Sequence, residues 1–380
     1  MHITACYITK NEAQFLGRSL ASIAGVPDET VVVDTGSTDE TVAIARSHGA
    51  TVLTFPWCDD FAAARNYALD HVPPSGDPDH WILFLDADES FAPPIRRAQL
   101  EELLTGSAAE GYFVRMLHDE RDGQQSESWS TLRMFRFSPH LRYAGRIHEQ
   151  VVHIDDRARP LTVAHAPREL VLHHLGYRAE VSEAKARRNL ALLERDMREH
   201  GLQPGVEGYF AETKYALGDY EDAIRWAKAA IASPVIQVGA EAEPYHILLE
   251  SLRHLGGREQ EMARWAGRAI ARFPDMPEFY GERGMTYSAM GRWSEARRDL
   301  IEALIRYEEC VRGLRAPSRQ GGYFTRRIAG QLAARLGEML ALAGDRAEAA
   351  TWFRLAQRYA PDEPRVAAKV EQFRQTGEGE

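Results

Sequence analysis

Two carboxylates one residue apart, Asp86 and Asp88, follow directly on an apolar run at residues 81–85. Such a run predicts a buried strand, and ligands of open α/β sheets bind outside the carboxyl ends of strands. Paired carboxylates suit Mg²⁺ or Mn²⁺, which are usually held by one or two carboxylates together with substrate phosphates. The pair therefore predicts a metal-assisted diphosphate site. Acidic pairs at strand ends also occur as helix caps or solvated turns, which is the alternative to be tested.

The residues before this pair predict the sheet that would position it. Short β-rich runs alternate with helical patterns: strands at residues 3–9, 29–34 and 50–55, and helices at 15–23, 42–45 and 61–69. Threonine and serine at positions 35–38 are expected to cap the second of these helices. Strands alternating with helices indicate a parallel sheet with right-handed crossovers. Asp34 and Asp86 would then end two strands at the same edge, where one ligand could touch both.

Four ordered motifs fill the first quarter of the chain. They are Thr9-Lys10-Asn11-Glu12, Val32-Val33-Asp34-Thr35-Gly36-Ser37-Thr38-Asp39, Asp59-Asp60-Phe61-Ala62-Ala63-Ala64-Arg65-Asn66 and Leu85-Asp86-Ala87-Asp88-Glu89. Together they resemble the family 2 glycosyltransferases of GT-A fold, in the branch that is joined to tetratricopeptide repeats and includes the sublancin S-glycosyltransferase. The resemblance implies an α/β nucleotide-sugar-binding domain with a mostly parallel sheet, followed by an all-α helical solenoid.

The same resemblance implies a role for each motif residue in the donor site. Thr9, Asp34 and Arg65 would contact the uridine, Asp86 the ribose, and Asp88 the metal on the diphosphate, with Ala87 between them. The three residues assigned to the uridine each have a structural alternative: Thr9 could cap a turn, Asp34 could cap the next helix, and Arg65 could be a helix-surface cation. In favour of binding, a carboxylate can accept from the uracil N–H and arginine offers a planar fork of donors.

A second cluster at residues 129–177 is predicted to form the acceptor side of the site. It begins with an aromatic-rich strand containing Trp129 and Arg133, and the resemblance extends to its Ile-His-Glu and His-x-Gly-Tyr segments. An inverting transfer needs a group that takes the acceptor's proton, and Glu149 is the predicted base. A salt bridge to Arg146 or another structural role is the alternative for Glu149. His148 is expected to orient a sugar or acceptor hydroxyl.

His174 is the candidate further metal ligand or diphosphate contact, because imidazole can complete a site that Asp88 begins. His173 is its rival. Neighbouring residues of a strand point to opposite faces, so only one of the two should enter the site.

The character of the chain changes near residue 180. Similar segments begin at Gly218, Gly257, Gly291 and Gly344, at separations near or above the tetratricopeptide period of about 34 residues. In such repeats glycine makes the turn between paired helices, and a proline stops the second helix, here at Pro234, Pro274 and Pro361. The predicted organisation is a glycosyltransferase domain at 1–179, a linker helix at 180–200 and a repeat domain at 201–380. Residues 311–327 are rich in arginine and glycine and read as a mobile loop or a contact for an acidic partner.

Composition narrows the class of function. The net charge of −10 argues against a nucleic-acid binder. Cys6, Cys58 and Cys310 are too few and too scattered for a disulfide framework or a zinc site, which fits a cytoplasmic location. No apolar run approaches the roughly 18–20 residues that a transmembrane segment needs.

The motifs and the family resemblance together predict an inverting glycosyltransferase of the hexosyltransferase type that uses Mg²⁺ or Mn²⁺. It would move a sugar from a UDP-sugar to a protein or peptide acceptor, on a cysteine thiol or a hydroxyl. The repeats would recruit that acceptor or form a homodimer. Two alternatives stay open: a glycan or lipid-linked acceptor, and a non-catalytic scaffold that binds sugar nucleotides.

Overall fold

The computed structural model describes residues 1–119, 125–157, 159–174, 183–203, 205–233, 241–312 and 325–375. The chain forms two compact units, Met1–Gln203 and Pro204–Glu380. Within the described ranges, no helix is both long and apolar enough to cross a membrane.

The first unit is an α/β domain built on a nine-stranded mixed sheet. Its strands are β1 (His2–Thr9), β2 (Glu29–Asp34), β3 (Thr51–Thr54), β4 (His80–Asp86), β5 (Glu89–Phe91), β6 (Gly111–Asp119), β7 (Gln125–Arg136), β8 (Leu141–Ala144), β9 (Gln150–His153), β10 (Val163–His165) and β11 (Val171–His174). Its helices are α1 (Leu16–Ser22), α2 (Thr41–Ser47), α3 (Phe61–Asp70), α4 (Arg97–Leu104) and α5 (Glu183–His200). Strands β8 and β9 form a separate antiparallel pair.

The sheet runs in the order β3-β2-β1-β4-β7-β6-β11-β5, with β10 beside β6. The first four strands are parallel, as their alternation with helices predicts. Strand β7 is antiparallel to both of its neighbours, β4 and β6, so the second half of the sheet is mixed. In the parallel half, Thr9 pairs with Asp34 and Ile8 with Asp86. The register therefore places these polar residues together at the carboxyl edge, as predicted.

Apolar side chains cover both faces of the parallel strands. Tyr7, Leu83 and Leu85 belong to one buried cluster, and Cys6 and Phe84 belong to the cluster on the opposite face. This two-residue alternation, buried on both sides, is typical of a sheet that is sandwiched between helices. The core thus fixes the strand ends from which the polar loops project.

The predicted threonine and serine cap of α2 is wrong. The residue preceding this helix is Glu40, whose side chain makes no capping bond, and Asp39 Oδ1 instead accepts from the amide of Thr41 at 3.0 Å. Ser37 and Thr38 bind the neighbouring loop: Ser37 Oγ accepts from the amide of Asn11 at 2.9 Å, and the amide of Thr38 donates to Asn11 Oδ1 at 2.7 Å. These bonds join the loops after β1 and β2.

The helix expected as a linker, α5, lies within the first unit, which extends to Gln203. The regular structure in the described part of the second unit is entirely helical. Its helices are α6 (Glu207–Ala216), α7 (Tyr220–Ala232), α8 (Glu243–Leu255), α9 (Glu259–Arg272), α10 (Pro277–Ala289), α11 (Trp293–Val311), α12 (Arg326–Leu342), α13 (Arg346–Tyr359) and α14 (Pro364–Gln375).

Four helical pairs, α6/α7 to α12/α13, follow one another as the repeat hypothesis predicts. Gly218, Gly291 and Gly344 lie in the turns inside three pairs with φ of 74°, 73° and 88°, a conformation that favours glycine. Pro274 and Pro361 follow the ends of α9 and α13. Pro234 and residues 313–324 of the arginine-rich segment lie outside the described residues.

Candidate active site

Asp34 and Thr9 lie side by side at the carboxyl ends of β2 and β1. Both side chains are buried. The Asp34 carboxylate accepts from the amides of Gly36 and Ser37, each at 3.1 Å, so it closes the turn after β2 rather than capping helix α2. Thr9 accepts the amide of Thr35 on its carbonyl oxygen at 2.9 Å. These bonds hold the two strand ends in register and leave little of either side chain open.

Asp88 and His174 meet at the rim of the site. The Asp88 Oδ2 to His174 Nε2 distance is 3.2 Å, and the side chains are 23% and 22% exposed. Strand β11 brings them together because His174 pairs with Glu89, the residue after Asp88. The structure thus places His174 against Asp88, whereas His173 is buried. Burial opposes protonation of His174, but the hydrogen bond to Asp88 and the nearby carboxylates outweigh it and raise its pKa.

Asp88 and His174 could supply two of the ligands of a metal ion, but not a full coordination shell. Among the described residues, no group of three or more histidine, cysteine, aspartate or glutamate side chains could hold an ion. One carboxylate and one imidazole leave the other positions to diphosphate oxygens and water, which is how Mg²⁺ and Mn²⁺ are usually bound at phosphate sites. The donor set therefore fits a divalent ion that binds together with a diphosphate.

Arg65, in the second turn of α3, joins two carboxylates across the site. Its Nη2 donates to Asp86 Oδ1 at 2.8 Å and its Nε to Glu149 Oε1 at 2.5 Å. The guanidinium is stacked on the rings of Phe84 and Tyr143, at 4.7 and 5.3 Å from the ring centroids. With 7% of its side chain exposed, Arg65 is a buried bridge and not the surface cation of the structural alternative.

Two buried polar atoms beside this bridge are without a hydrogen bond to any described residue. They are Arg65 Nη1 and the Tyr143 hydroxyl. Buried donors of this kind are rare in proteins and are commonly satisfied by an ordered water. The site therefore has buried polar atoms next to the aromatic rings of Phe84 and Tyr143.

A second arginine, Arg133 on β7, completes the network from the other side. Its Nη2 donates to Asp86 Oδ2 at 2.7 Å, and its Nε donates to Glu89 Oε2 at 2.8 Å. Burial disfavours the ionised Asp86, but Arg65 and Arg133 outweigh this effect and keep its pKa below the usual range. Burial raises the pKa of Glu89, against the opposing charge of Arg133. From the sequence, Glu89 is only a substitute candidate for the base and Arg133 only a member of the acceptor-side cluster; their contacts with Asp86 and with each other are not predicted.

Glu149 lies in the loop after β8, and Asn66 anchors the end of that strand. Asn66 Nδ2 donates to the Tyr143 carbonyl and its Oδ1 accepts from the Tyr143 amide, both at 2.9 Å. The predicted alternative of a Glu149–Arg146 salt bridge is wrong, because Arg146 pairs with Asp60 and Glu199. The ion pair of Glu149 with Arg65 is compatible with the other alternative, a structural role. Glu149 is 9% exposed and its Oε1 contacts Arg65. His148, its neighbour, has φ of 55°.

Glu12, in the loop after β1, adds a titratable carboxylate whose pKa is influenced by Asp88 of the Asp88–His174 pair. Burial and the negative charges of Asp88, Asp39 and Asp86 raise its pKa to about 7. Its amide donates to Thr41 Oγ1 at 2.7 Å, which holds the loop. Ala87, buried in the turn between β4 and β5, completes the set of predicted donor residues.

Residues 4–154 match the family model described as glycosyl transferase family 2. The chain is 39% identical over 152 residues to a TPR repeat-containing protein of Synechococcus elongatus, covering 39% of this chain and 35% of that protein. It is 39% identical over 126 residues to a glycosyltransferase of Rickettsia felis, covering 32% and 42%. It is 25% identical over 235 residues to the glycosyltransferase SunS of Bacillus subtilis, covering 60% and 53%. The chain thus spans between a third and about half of these relatives. The predicted family resemblance is confirmed.

Proposed function

We propose that the chain, which carries a family 2 glycosyltransferase domain at residues 4–154, is an inverting, metal-dependent enzyme that transfers a sugar from a UDP-sugar to a protein or peptide. The observation that carries the proposal is the Asp88–His174 pair at 3.2 Å, next to an Asp86 that two arginines hold ionised. An ionised Asp86 and a carboxylate–imidazole pair that could bind a metal ion would then lie side by side at the carboxyl edge of the sheet, where ligands of open α/β sheets bind.

Asp88 and His174 would hold Mg²⁺ or Mn²⁺ on the donor diphosphate. When bound, the ion would neutralise negative charge that develops on the departing nucleoside diphosphate. The protein's own part is to present Asp86, 34% exposed, as an acceptor for the ribose hydroxyls. Because Arg65 and Arg133 fix both Asp86 oxygens, the carboxylate is positioned before the donor arrives.

Glu149 is the proposed base on the acceptor side. Its Oε1 is held by Arg65, while Oε2 makes no hydrogen bond within the described part of the chain. An oriented carboxylate with one free oxygen can take the proton of an attacking thiol or hydroxyl as the bond to the anomeric carbon forms. Attack opposite the leaving diphosphate inverts that carbon. His148 would orient the sugar or the acceptor beside it.

The second unit supports the acceptor part of the proposal. Its helical pairs hide their apolar faces by stacking on their neighbours and form an extended surface, as repeat proteins that bind other chains do. A peptide or protein acceptor suits such a surface better than a small molecule does.

Release of UDP tests the proposal. Purified protein is incubated with UDP-glucose, UDP-galactose and UDP-N-acetylglucosamine, with Mn²⁺ or with chelator, and UDP binding is measured by calorimetry under both conditions. We expect Mn²⁺-dependent UDP release with at least one donor, and loss of both release and metal-enhanced UDP binding in Asp88→Asn. Asp155→Asn, an exposed aspartate of the same unit, is the matched control. Metal-independent UDP binding by the wild type, or unchanged behaviour of Asp88→Asn, contradicts the assignment.

A further inference from the structure

Helix α5 lies against the amino-terminal end of α3 along one of its faces. Arg188 is over the ring of Phe61 at 5.8 Å, Arg195 is 3.9 Å from Asp59, and Glu199 contacts Arg146. Positions 188, 195 and 199 are separated by seven and four residues and therefore share a helix face. A helix expected to serve only as a linker is thus packed beside the loop that precedes Glu149.

Arg146 is the residue on which these contacts converge. Its carbonyl accepts the amide of Phe61 at 2.8 Å, and its Nη1 is 3.4 Å from Asp60 Oδ2. Its Nε donates to Glu199 Oε2 at 3.1 Å, and Nη2 contacts the same oxygen. Only 13% of the side chain is exposed. Arg146 therefore ties three segments together: the start of α3, the end of α5, and its own loop.

That loop, residues 145–149, adopts a backbone that needs such support. Gly145 has φ of 100°, and the non-glycine residue His148 has φ of 55°. A left-handed conformation at a residue with a Cβ costs on the order of 1–3 kcal/mol and persists where the surroundings impose it. Arg146 lies between the two positions and is anchored by both its carbonyl and its side chain. It is well placed to impose the turn that delivers Glu149 to Arg65.

We propose that Arg146 is a positioning residue, which holds Glu149 in place for proton transfer from the acceptor. Glu199 of helix α5 would fix the position of Arg146 through their ion pair. The inference rests on the proposed role of Glu149 as base. Glu199 is 39% exposed, and ion pairs at the protein surface contribute little to stability, so removing its carboxylate should shift the loop rather than unfold the unit. A small displacement of a catalytic group lowers turnover far more than it lowers stability. The donor contacts proposed for Thr9, Asp34 and Asp86 come from the ends of β1, β2 and β4, outside this loop, and should be unaffected.

The test compares Glu199→Gln, Arg146→Gln and the double variant with wild type. Glu183→Gln is the matched control, because Glu183 forms an exposed ion pair with Arg187 on the same helix, away from the loop. UDP release from the donor that the wild type uses gives kcat and the donor KM, and calorimetry with UDP and Mn²⁺ gives the donor Kd. We expect kcat to fall roughly 10-fold in both single variants. Donor KM, Kd and melting temperature should stay near the wild-type values. The double variant should lose no more than Arg146→Gln alone, as for residues that act through one contact.

Amide hydrogen exchange over residues 145–149 supplies a readout that does not need activity. Faster exchange there in Glu199→Gln, with no change in Glu183→Gln, supports the proposal. Unchanged exchange, an unchanged kcat, or a joint change in donor Kd and melting temperature overturns it. If the wild type releases no UDP from any donor, the proposed function fails, and the exchange measurement still decides whether Arg146 and Glu199 hold the loop.

Discussion

Arg65 donates to Glu149 Oε1 at 2.5 Å although the two residues are 84 positions apart in sequence. The same guanidinium holds Asp86 at 2.8 Å. The residue proposed to take the acceptor's proton and the residue proposed to bind the donor ribose are therefore joined through one buried cation. Changes to Arg65 should disturb both halves of the reaction, whereas changes to either carboxylate should disturb one.

Glu149→Gln should lower turnover by roughly 10²–10⁴-fold, the usual contribution of general base catalysis. The amide keeps the size and an oxygen for Arg65 but cannot take a proton, so Kd for UDP with Mn²⁺ should hardly change. Steady-state UDP release and calorimetry measure both, with the exposed Glu101→Gln on α4 as control. A thiol acceptor would give a smaller effect, because a thiol is already partly ionised near neutral pH. Full turnover with hydroxyl acceptors would remove Glu149 from the mechanism.

Arg65→Lys should reduce both donor affinity and turnover. Lysine keeps the charge but has one nitrogen, so it cannot hold Asp86 and Glu149 from separate nitrogens as Arg65 does, and it has no planar group to lie over Phe84 and Tyr143. Arg46→Lys, an exposed arginine of α2, is the matched control. The comparison with Glu149→Gln is decisive: if Arg65→Lys changes turnover alone, the link to Asp86 plays no part in donor binding.

Binding of Mn²⁺ with UDP should release a proton near Glu12. This carboxyl has a pKa of about 7 because of burial and the charges of Asp88, Asp39 and Asp86. A cation at Asp88 favours its ionised form, so metal affinity should rise as pH increases through 7 and proton release should be largest below 7. Calorimetry at pH 6.5 in two buffers of different ionisation enthalpy counts the protons. Glu12→Gln should release fewer protons than wild type and Glu40→Gln an equal number; equal release by Glu12→Gln would exclude its participation.

His80 should make the folded state less stable in acid. Burial, and secondarily His2, lower its pKa from 6.5 to about 4. As pH falls from 6.5 towards 4, the unfolded chain takes up a proton that the folded chain does not, so the free energy of unfolding decreases, by on the order of 2–3 kcal/mol. Urea unfolding at pH 7 and 4.5 should show a smaller decrease in His80→Gln than in wild type. The variant His48→Gln, at an exposed position, should behave as wild type. A decrease in the free energy of unfolding in His80→Gln as large as that in wild type would contradict the prediction.

Gly284→Ala should destabilise the second unit by about 1–3 kcal/mol through overpacking. A Cβ at this position in α10 would lie 2.8 Å from Leu300 Cγ of α11, so the two helices would have to separate. Gly208→Ala in α6 meets nothing within 4 Å and should instead stabilise its helix by about 0.5–1 kcal/mol. Thermal denaturation of both variants measures the contrast. Equal shifts would show that the close approach of α10 and α11 has no energetic importance.

The sequence by itself determined the strand ends, the motif residues and the repeat units. Local patterns suffice for these: apolar runs end at Asp34 and Asp86, and left-handed glycines separate paired helices. It also named Asp88, and His174 with His173 as its rival; the structure brings Asp88 and His174 to 3.2 Å. What only the tertiary structure decided is which charges meet. Arg133 forms an ion pair with Asp86, and Arg65 forms ion pairs with Asp86 and Glu149. Arg146 forms ion pairs with Asp60 and Glu199 instead of Glu149. Charged side chains choose partners by proximity and burial after strands β4, β7 and β8 and helices α3 and α5 have packed, and no local pattern encodes distances between segments so far apart in the chain.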